Sequence, residues 1–278
     1  MKRLSILIAA IAATIALFAE PPASKEPSDA YYNLVGDADS AIARGQWAKA
    51  EEALLSAMRL EPSNPGNIML MSNLGIVQYN SGRDSLALVT LTQAHDIAPR
   101  SVTILGNRAR VLMAMGRFEE ARADYSAIVE ADSTMTDARF HRALLDLKAG
   151  HTATARADID WLRRNNPDDI NTNLAEAALA SAEGDFAASV IAYTKVLNVD
   201  KQPEYYAERA LGYLMTDRPG DAAEDIAAGL ELDPTDAQLY LYRAMLNRAR
   251  FRPEDARADA REALRLGADP REVEPLLR

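Results

Sequence analysis

Arginine and aspartate recur together at a spacing of 16 residues in this sequence. In each case alanine follows the arginine directly. The pairs are Arg108 and Asp124, Arg142 and Asp158, Arg209 and Asp225, and Arg243 and Asp259. A planar guanidinium presents parallel N–H donors that match the two oxygens of a carboxylate. The spacing therefore predicts four bidentate salt bridges.

Three further segments have neither residue of the pair at the corresponding places. Those places hold Asp37 and Ala53, Leu74 and Thr90, and Glu176 and Ala192. Because each segment has both residues or neither, we favour a direct contact over two solvated faces that happen to match. We expect the contact to be structural, and loss of one partner of a half-buried pair to cost about 1–3 kcal/mol.

The motifs of the common enzyme classes are absent from the sequence. It has no glycine-rich nucleotide-binding loop, no His-Glu-x-x-His, no Gly-x-Ser-x-Gly and no cysteine. The histidines, His95, His141 and His151, have no second histidine or carboxylate pair at ligand spacing on one helical face. We therefore predict no catalytic residue, no metal, no cofactor and no enzymatic activity.

The charge and composition of the chain indicate which partners and which fold to expect. The 278 residues carry a formal net charge of −10, and no cluster of basic residues exceeds its acidic neighbours, which argues against a nucleic-acid partner. Alanine is the commonest apolar residue and aromatic residues make up only 6% of the chain, a pattern typical of closely packed helices.

The N-terminus has the pattern of an export signal. Lys2 and Arg3 precede an apolar run from Leu4 to Phe18, and Ala19 ends it. Such a run is too short for a bilayer span, so residues 1–19 are predicted to be a secretory signal peptide cleaved after Ala19. Residues 20–30 are predicted to form a Pro-rich linker. The mature chain is expected to be soluble, without a membrane span, in a bacterial periplasm or outside the cell.

A period of about 34 residues organises the rest of the chain. Within residues 102–135, Leu105, Ala109 and Leu112 lie at helical spacing, Gly116 follows, and a second apolar helix pattern begins at Phe118. The units are 31–67, 68–101, 102–135, 136–169, 170–202, 203–236 and 237–270, with a tail at 271–278.

Glycine recurs in the turn inside each of the first five units. These glycines are Gly45, Gly82, Gly116, Gly150 and Gly184. They indicate a residue with positive φ at the end of the first helix. The last two units have Asp217 and Phe251 there, so we expect those two turns to be irregular.

This pattern resembles the tetratricopeptide repeat (TPR) family over about residues 31–270. The resemblance implies an all-α fold, a right-handed α-solenoid of about seven helix-turn-helix TPR units. It also implies a concave wall built from the first helices, and a role as a scaffold or peptide receptor.

The resemblance places a set of apolar, Met-rich and cationic residues in the concave groove. The candidates for binding a protein or peptide are Tyr79, Arg110, Met113, Phe140, Lys148, Met215, Met245 and Arg248. Methionine and aromatic side chains adapt to varied apolar partners. Many of these positions also pack between neighbouring repeats, so a core role stays open.

Three functions remain compatible with the sequence. The first is a non-catalytic adaptor in a cell-envelope assembly. The second is self-association into a homo-oligomer, because the last unit is followed only by a short tail carrying Val273, Leu276 and Leu277. The third is a helper subunit of an envelope enzyme.

Overall fold

The structure is a computed structural model that describes residues 26–278. The expected signal peptide at 1–19, its cleavage after Ala19 and most of the expected linker lie outside the described residues.

Residues 26–278 form fifteen helices and no strand. The helices are α1 (Asp29–Ala43), α2 (Trp47–Leu60), α3 (Asn67–Asn80), α4 (Asp84–Ile97), α5 (Val102–Ala114), α6 (Phe118–Ala131), α7 (Thr136–Lys148), α8 (Thr152–Asn165), α9 (Ile170–Ala182), α10 (Phe186–Val199), α11 (Pro203–Met215), α12 (Pro219–Leu232), α13 (Ala237–Ala249), α14 (Pro253–Leu266) and α15 (Pro270–Leu277). Within this range no helix has the length and apolar character needed to cross a bilayer.

The described residues up to Thr90 form one compact unit. Helix α2 packs against both α1 and α3. Leu54 lies at the centre with no exposed surface, and the apolar core also includes Tyr31, Leu70 and Val77. The Tyr31 hydroxyl donates a hydrogen bond to Asn67 Oδ1 at 3.0 Å, so a polar contact joins the starts of α1 and α3.

Residues from Leu91 form a second compact unit built from successive helix pairs. From α5 onwards each first helix packs against its own second helix, and each second helix contacts the first helix of the next pair. Small residues allow this close approach, since Ala109 and Ala121 are both fully buried where α5 meets α6. First helices also contact one another, as α7 does with α9.

Polar residues at the helix ends define where the pairs begin. The side chains of Asp169, Asp236 and Asp269 accept hydrogen bonds from backbone N–H groups in the first turns of α9, α13 and α15. Proline starts the later helices α11, α12, α14 and α15, where its missing N–H has no intrahelical partner to lose.

The turn inside every helix pair has the same backbone conformation. The five turn glycines have φ between +65° and +78°, and Asp217 and Phe251 have φ of +55° and +57°. The irregular turns expected at Asp217 and Phe251 are therefore not found. The geometry of the pair imposes the left-handed conformation even where the residue is not glycine, which is energetically unfavourable.

The C-terminal residues form a helix where the sequence suggests only a tail. In α15, Val273 has no exposed surface and Leu276 is 8% exposed, and both belong to the apolar cluster that contains Leu239 and Leu246 of α13. The last helix pair is therefore covered on the side that the self-association hypothesis leaves open.

Replacing Phe251 with glycine should stabilise the protein. The Phe251 side chain is 93% exposed, so little packing is lost, while glycine relieves the unfavourable positive φ. We expect the free energy of unfolding to rise by about 1 kcal/mol, measured by urea denaturation.

The matched control is Gly116→Ala, where a Cβ would meet no atom within 4 Å and only the backbone conformation is tested. It should lower stability by about 1 kcal/mol. A Phe251→Gly variant less stable than the parent would contradict the prediction.

Candidate functional site

All four predicted arginine–aspartate pairs are in contact in the structure. Arg108 donates to Asp124 through Nε at 2.8 Å and through Nη2 at 2.5 Å. Arg142 makes the same two bonds to Asp158, at 2.7 and 2.8 Å. Each contact joins the first helix of a pair to its second helix with the two parallel bonds of a bidentate pair.

The two later pairs have the same geometry. Arg209 contacts Asp225 at 2.8 and 2.7 Å, and Arg243 contacts Asp259 at 3.0 and 2.6 Å. In all four pairs the hydrogen bonds to the carboxylate raise the pKa of the arginine and outweigh the opposing effect of burial.

The four pairs differ in how deeply their side chains are buried, and this should affect how much each pair contributes to stability. The Asp124 and Asp158 side chains are 5% and 3% exposed, whereas that of Asp259 is 11% exposed beside an Arg243 side chain that is 38% exposed. Partly desolvated charge pairs interact more strongly than solvated ones, so the Arg108–Asp124 and Arg142–Asp158 contacts should contribute most.

Additional donors reach two of these aspartates. Arg139 donates to Asp158 Oδ1 at 2.7 Å, so two guanidinium groups share that carboxylate. Asn247 donates to Asp259 Oδ2 at 2.8 Å. These donors fill acceptor sites that the bidentate contact leaves open, as buried carboxylates require.

Sequence reasoning missed a further buried ion pair that joins neighbouring repeats. Arg122 of α6 contacts Asp146 of α7, whose side chain is 2% exposed. This pair occurs once and at a different spacing, so the recurrence that reveals the other four gives no signal for it.

The groove candidates divide into exposed and packed residues. Arg110 and Lys148 are exposed on α5 and α7, and Met215 is 53% exposed at the end of α11. Tyr79, Met113 and Met245 are half-buried. The Lys148 ammonium lies 3.7 Å from the centre of the Phe118 ring, a cation–π contact that leaves the side chain exposed.

Phe140 and Arg248 both make contacts within the protein. Phe140 is 9% exposed and packs in an apolar cluster with Ile159, Leu162 and Leu179, because its ring fills the junction of α7, α8 and α9. Arg248 donates from Nη1 to the backbone oxygen of Pro275 at 2.8 Å and so attaches α13 to α15.

A half-buried histidine lies near Arg110. The His141 ring stacks on Tyr125 with ring centres 5.0 Å apart and planes 21° from parallel. Its Nδ1 is buried and has no hydrogen-bond partner among residues 26–278. Burial lowers the pKa of His141, Asp137 opposes this and Arg110 adds to it. Burial also raises the pKa of Tyr125 to about 12.

No group of three or more histidine, aspartate or glutamate side chains in the described part of the chain is arranged to hold a metal ion. The buried carboxylates described above are instead used in contacts with arginine.

Comparisons with known proteins place these helix pairs in a family. Two family models, each described as tetratricopeptide repeat, match residues 79–147 and 140–205. The helix pairs within residues 79–205 match tetratricopeptide repeats. The all-α solenoid of TPR units that the sequence predicts is confirmed.

A solved structure supports the same assignment over most of the chain. The tetratricopeptide repeat protein from Parabacteroides merdae is 27% identical, with a TM-score of 0.74 over 90% of this chain and 98% of that one.

Two curated relatives match smaller shares. DnaJ homolog subfamily C member 3 of Rattus norvegicus is 24% identical over 70% of this chain, which spans only 42% of that protein's length. Photosystem I assembly protein Ycf3 of Rippkaea orientalis is 30% identical over 39% of this chain and 66% of its own.

The lowered pKa of His141, which lies on the first helix α7, predicts that stability depends on pH. Because its pKa is lowered on folding, the unfolded chain binds a proton that the folded chain resists between the folded pKa and the unfolded value of about 6.5. Stability should therefore be complete above about pH 6.5 and should fall as the pH drops below it.

His141→Phe keeps an aromatic ring against Tyr125 and removes the titration. The midpoint of urea denaturation, followed from about pH 7.5 to pH 5.5, should decline less in this variant than in the parent. Equal declines would show that His141 is not the cause.

Proposed function

We propose that this protein is an exported, non-catalytic TPR scaffold that binds a protein or peptide partner on the surface formed by its first helices. The observation that carries the proposal is that this surface keeps unpaired, adaptable side chains. Arg110 has no ion-pair partner among the described residues, and Met215 is exposed. A surface that offers both an exposed cation and a methionine suits a peptide that is both acidic and apolar.

The contrast with the other charged residues supports this surface as the binding site. Arg108, next to Arg110 on α5, holds Asp124 in a nearly buried pair. Arg122, on the second helix, holds Asp146. Arginines in these places are used to hold the fold together, whereas Arg110 is available to a partner.

A scaffold also fits how the ionisable residues are used. The buried aspartates, Asp158 among them, accept hydrogen bonds from arginine, so these carboxylates serve to hold helices together. The relative Ycf3 is named as an assembly protein, which is compatible with a role in assembling other proteins.

Export and a place in the cell envelope rest on the sequence. The basic residues Lys2 and Arg3 followed by the apolar run to Phe18 are the pattern of a signal peptide. Self-association through the last repeat has less support, because Val273 and Leu276 of α15 are buried against that repeat.

The proposal can be tested by reversing the two cations of the first-helix surface. The parent and an Arg110→Glu/Lys148→Glu variant are used to capture proteins from an envelope extract of the source organism. We expect a partner that the parent retains and the variant loses, because an acidic segment of the partner would meet like charges.

The matched control is Arg164→Glu/Arg261→Glu, which makes the same change in net charge at two exposed arginines of second helices. It should retain the partner. Retention by the first-helix variant, or equal loss from both variants, would contradict binding on this surface, provided that circular dichroism shows all three proteins folded.

A further inference from the structure

The fifth repeat contains a cavity of about 350 Å³ between α8 and α10, with α9 as its third wall. This volume is within the range of about 300–1,000 Å³ common for ligand pockets. Apolar side chains, among them Ile159, Leu179 and Ile191, contribute part of the lining. Charged side chains of the same three helices contribute the rest.

In the next repeat an arginine side chain occupies the equivalent position. There, Arg209 of α11 lies between two second helices. It donates to both oxygens of Asp225 on α12, and its Nη1 donates to Thr194 Oγ1 on α10 at 3.1 Å. The arginine therefore joins its own second helix to the preceding one.

The three equivalent residues of the fifth repeat all line the cavity. Glu176 stands at the arginine's place, Ala192 at the place of Asp225, and Asp160 at the place of Thr194. The cavity thus exists where the chain lacks an arginine side chain, and the aspartate that would hold the arginine is replaced by a smaller residue.

Four carboxylates and three cations line the cavity, so its charges favour a cation as the occupant by one unit. The carboxylates belong to Asp160, Glu176, Glu183 and Asp185, and the cations to Arg156, Arg163 and Lys195. Arg163 is 2.6 Å from Asp160 but 3.8 Å from Glu176, so one guanidinium, itself 59% exposed, serves two carboxylates. The Glu176 side chain is only 22% exposed. Glu183 is paired with Arg156 on the rim. A partly buried carboxylate whose nearest described counterion is at 3.8 Å gains from a closer charge.

We propose that this cavity binds an arginine side chain of a partner protein. Its guanidinium contacts Glu176 and Asp160, and its methylene stem packs on Ile159 and Leu179. The partner supplies the side chain that Arg209 provides within the next repeat. The site lies between the second helices α8 and α10 with α9 as its third wall, and it includes none of Arg110, Lys148 and Met215 of the first-helix surface proposed above.

The test uses the full chain labelled at isoleucine δ1 methyl groups and titrated with N-acetylarginine amide, followed by NMR. We expect saturable shifts of the Ile159 and Ile191 methyls and none at Ile128 or Ile226, which lie in other repeats. N-acetylcitrulline amide has nearly the same shape without the charge and should leave all four unchanged.

Two variants distinguish specific binding in the cavity from non-specific attraction of cations to an acidic protein. Glu176→Gln should weaken the binding of N-acetylarginine amide at least about tenfold, since one charge-assisted contact is lost. The control Glu224→Gln removes an exposed carboxylate of α12 and should leave binding unchanged.

The double variant Glu176→Arg/Ala192→Asp introduces into the fifth repeat the arginine–aspartate pair that four other repeats contain. It should abolish the methyl shifts and raise the thermal midpoint of unfolding. Equal shifts with citrulline amide, a larger response to an anion such as acetate, or no saturable response to arginine amide would overturn the proposal. So would unchanged binding in Glu176→Gln.

Discussion

The bidentate contact between an arginine of the first helix and an aspartate of the second is the interaction on which the helix pairs of the third, fourth, sixth and seventh repeats depend. A short helix pair buries little apolar surface by itself, and here much of the buried surface is alanine. Alanine lets the backbones approach closely but fixes their relative position weakly. The arginine–aspartate contact adds direction, because a guanidinium and a carboxylate meet with both bonds only in one relative orientation.

The contact also acts between repeats. Arg209 also donates to Thr194 of the preceding second helix, whereas Arg139 adds a second guanidinium to Asp158 within one repeat. Where the pair is absent, either a different contact joins the two helices or a cavity remains. In the second repeat the buried Thr90 hydroxyl donates to Gln78 at 2.7 Å, a neutral contact. In the fifth repeat Ala192 leaves the cavity described above.

Much of this architecture can be predicted from the sequence because it recurs. The 16-residue spacing is repeated four times, so each pair supports the interpretation of the others. Features that occur once could not be predicted in the same way. The Arg122–Asp146 contact has a spacing that occurs nowhere else among the contacts described. The cavity forms because Glu176 and Ala192 do not occupy the space that an arginine and an aspartate occupy in the next repeat.

Other features depend on geometry that residue types do not specify. Asp217 and Phe251 adopt positive φ because the helix pair closes only with that turn, although their residue types argue against it. Phe140 has the size and position expected of a groove residue, but three helices meet around its ring and bury it. The short segment after the last repeat becomes a helix because Val273 and Leu276 find an apolar surface there.

The most direct test of the central claim is a double-mutant cycle on Arg108 and Asp124, a nearly buried pair whose carboxylate receives no second described arginine. Arg108→Met, Asp124→Ala and the double variant are compared with the parent by urea denaturation. We predict a coupling free energy of about 1–3 kcal/mol, so that the double variant is clearly more stable than the sum of the single losses implies. Additive losses would show that the two residues stabilise the fold separately and would contradict the account.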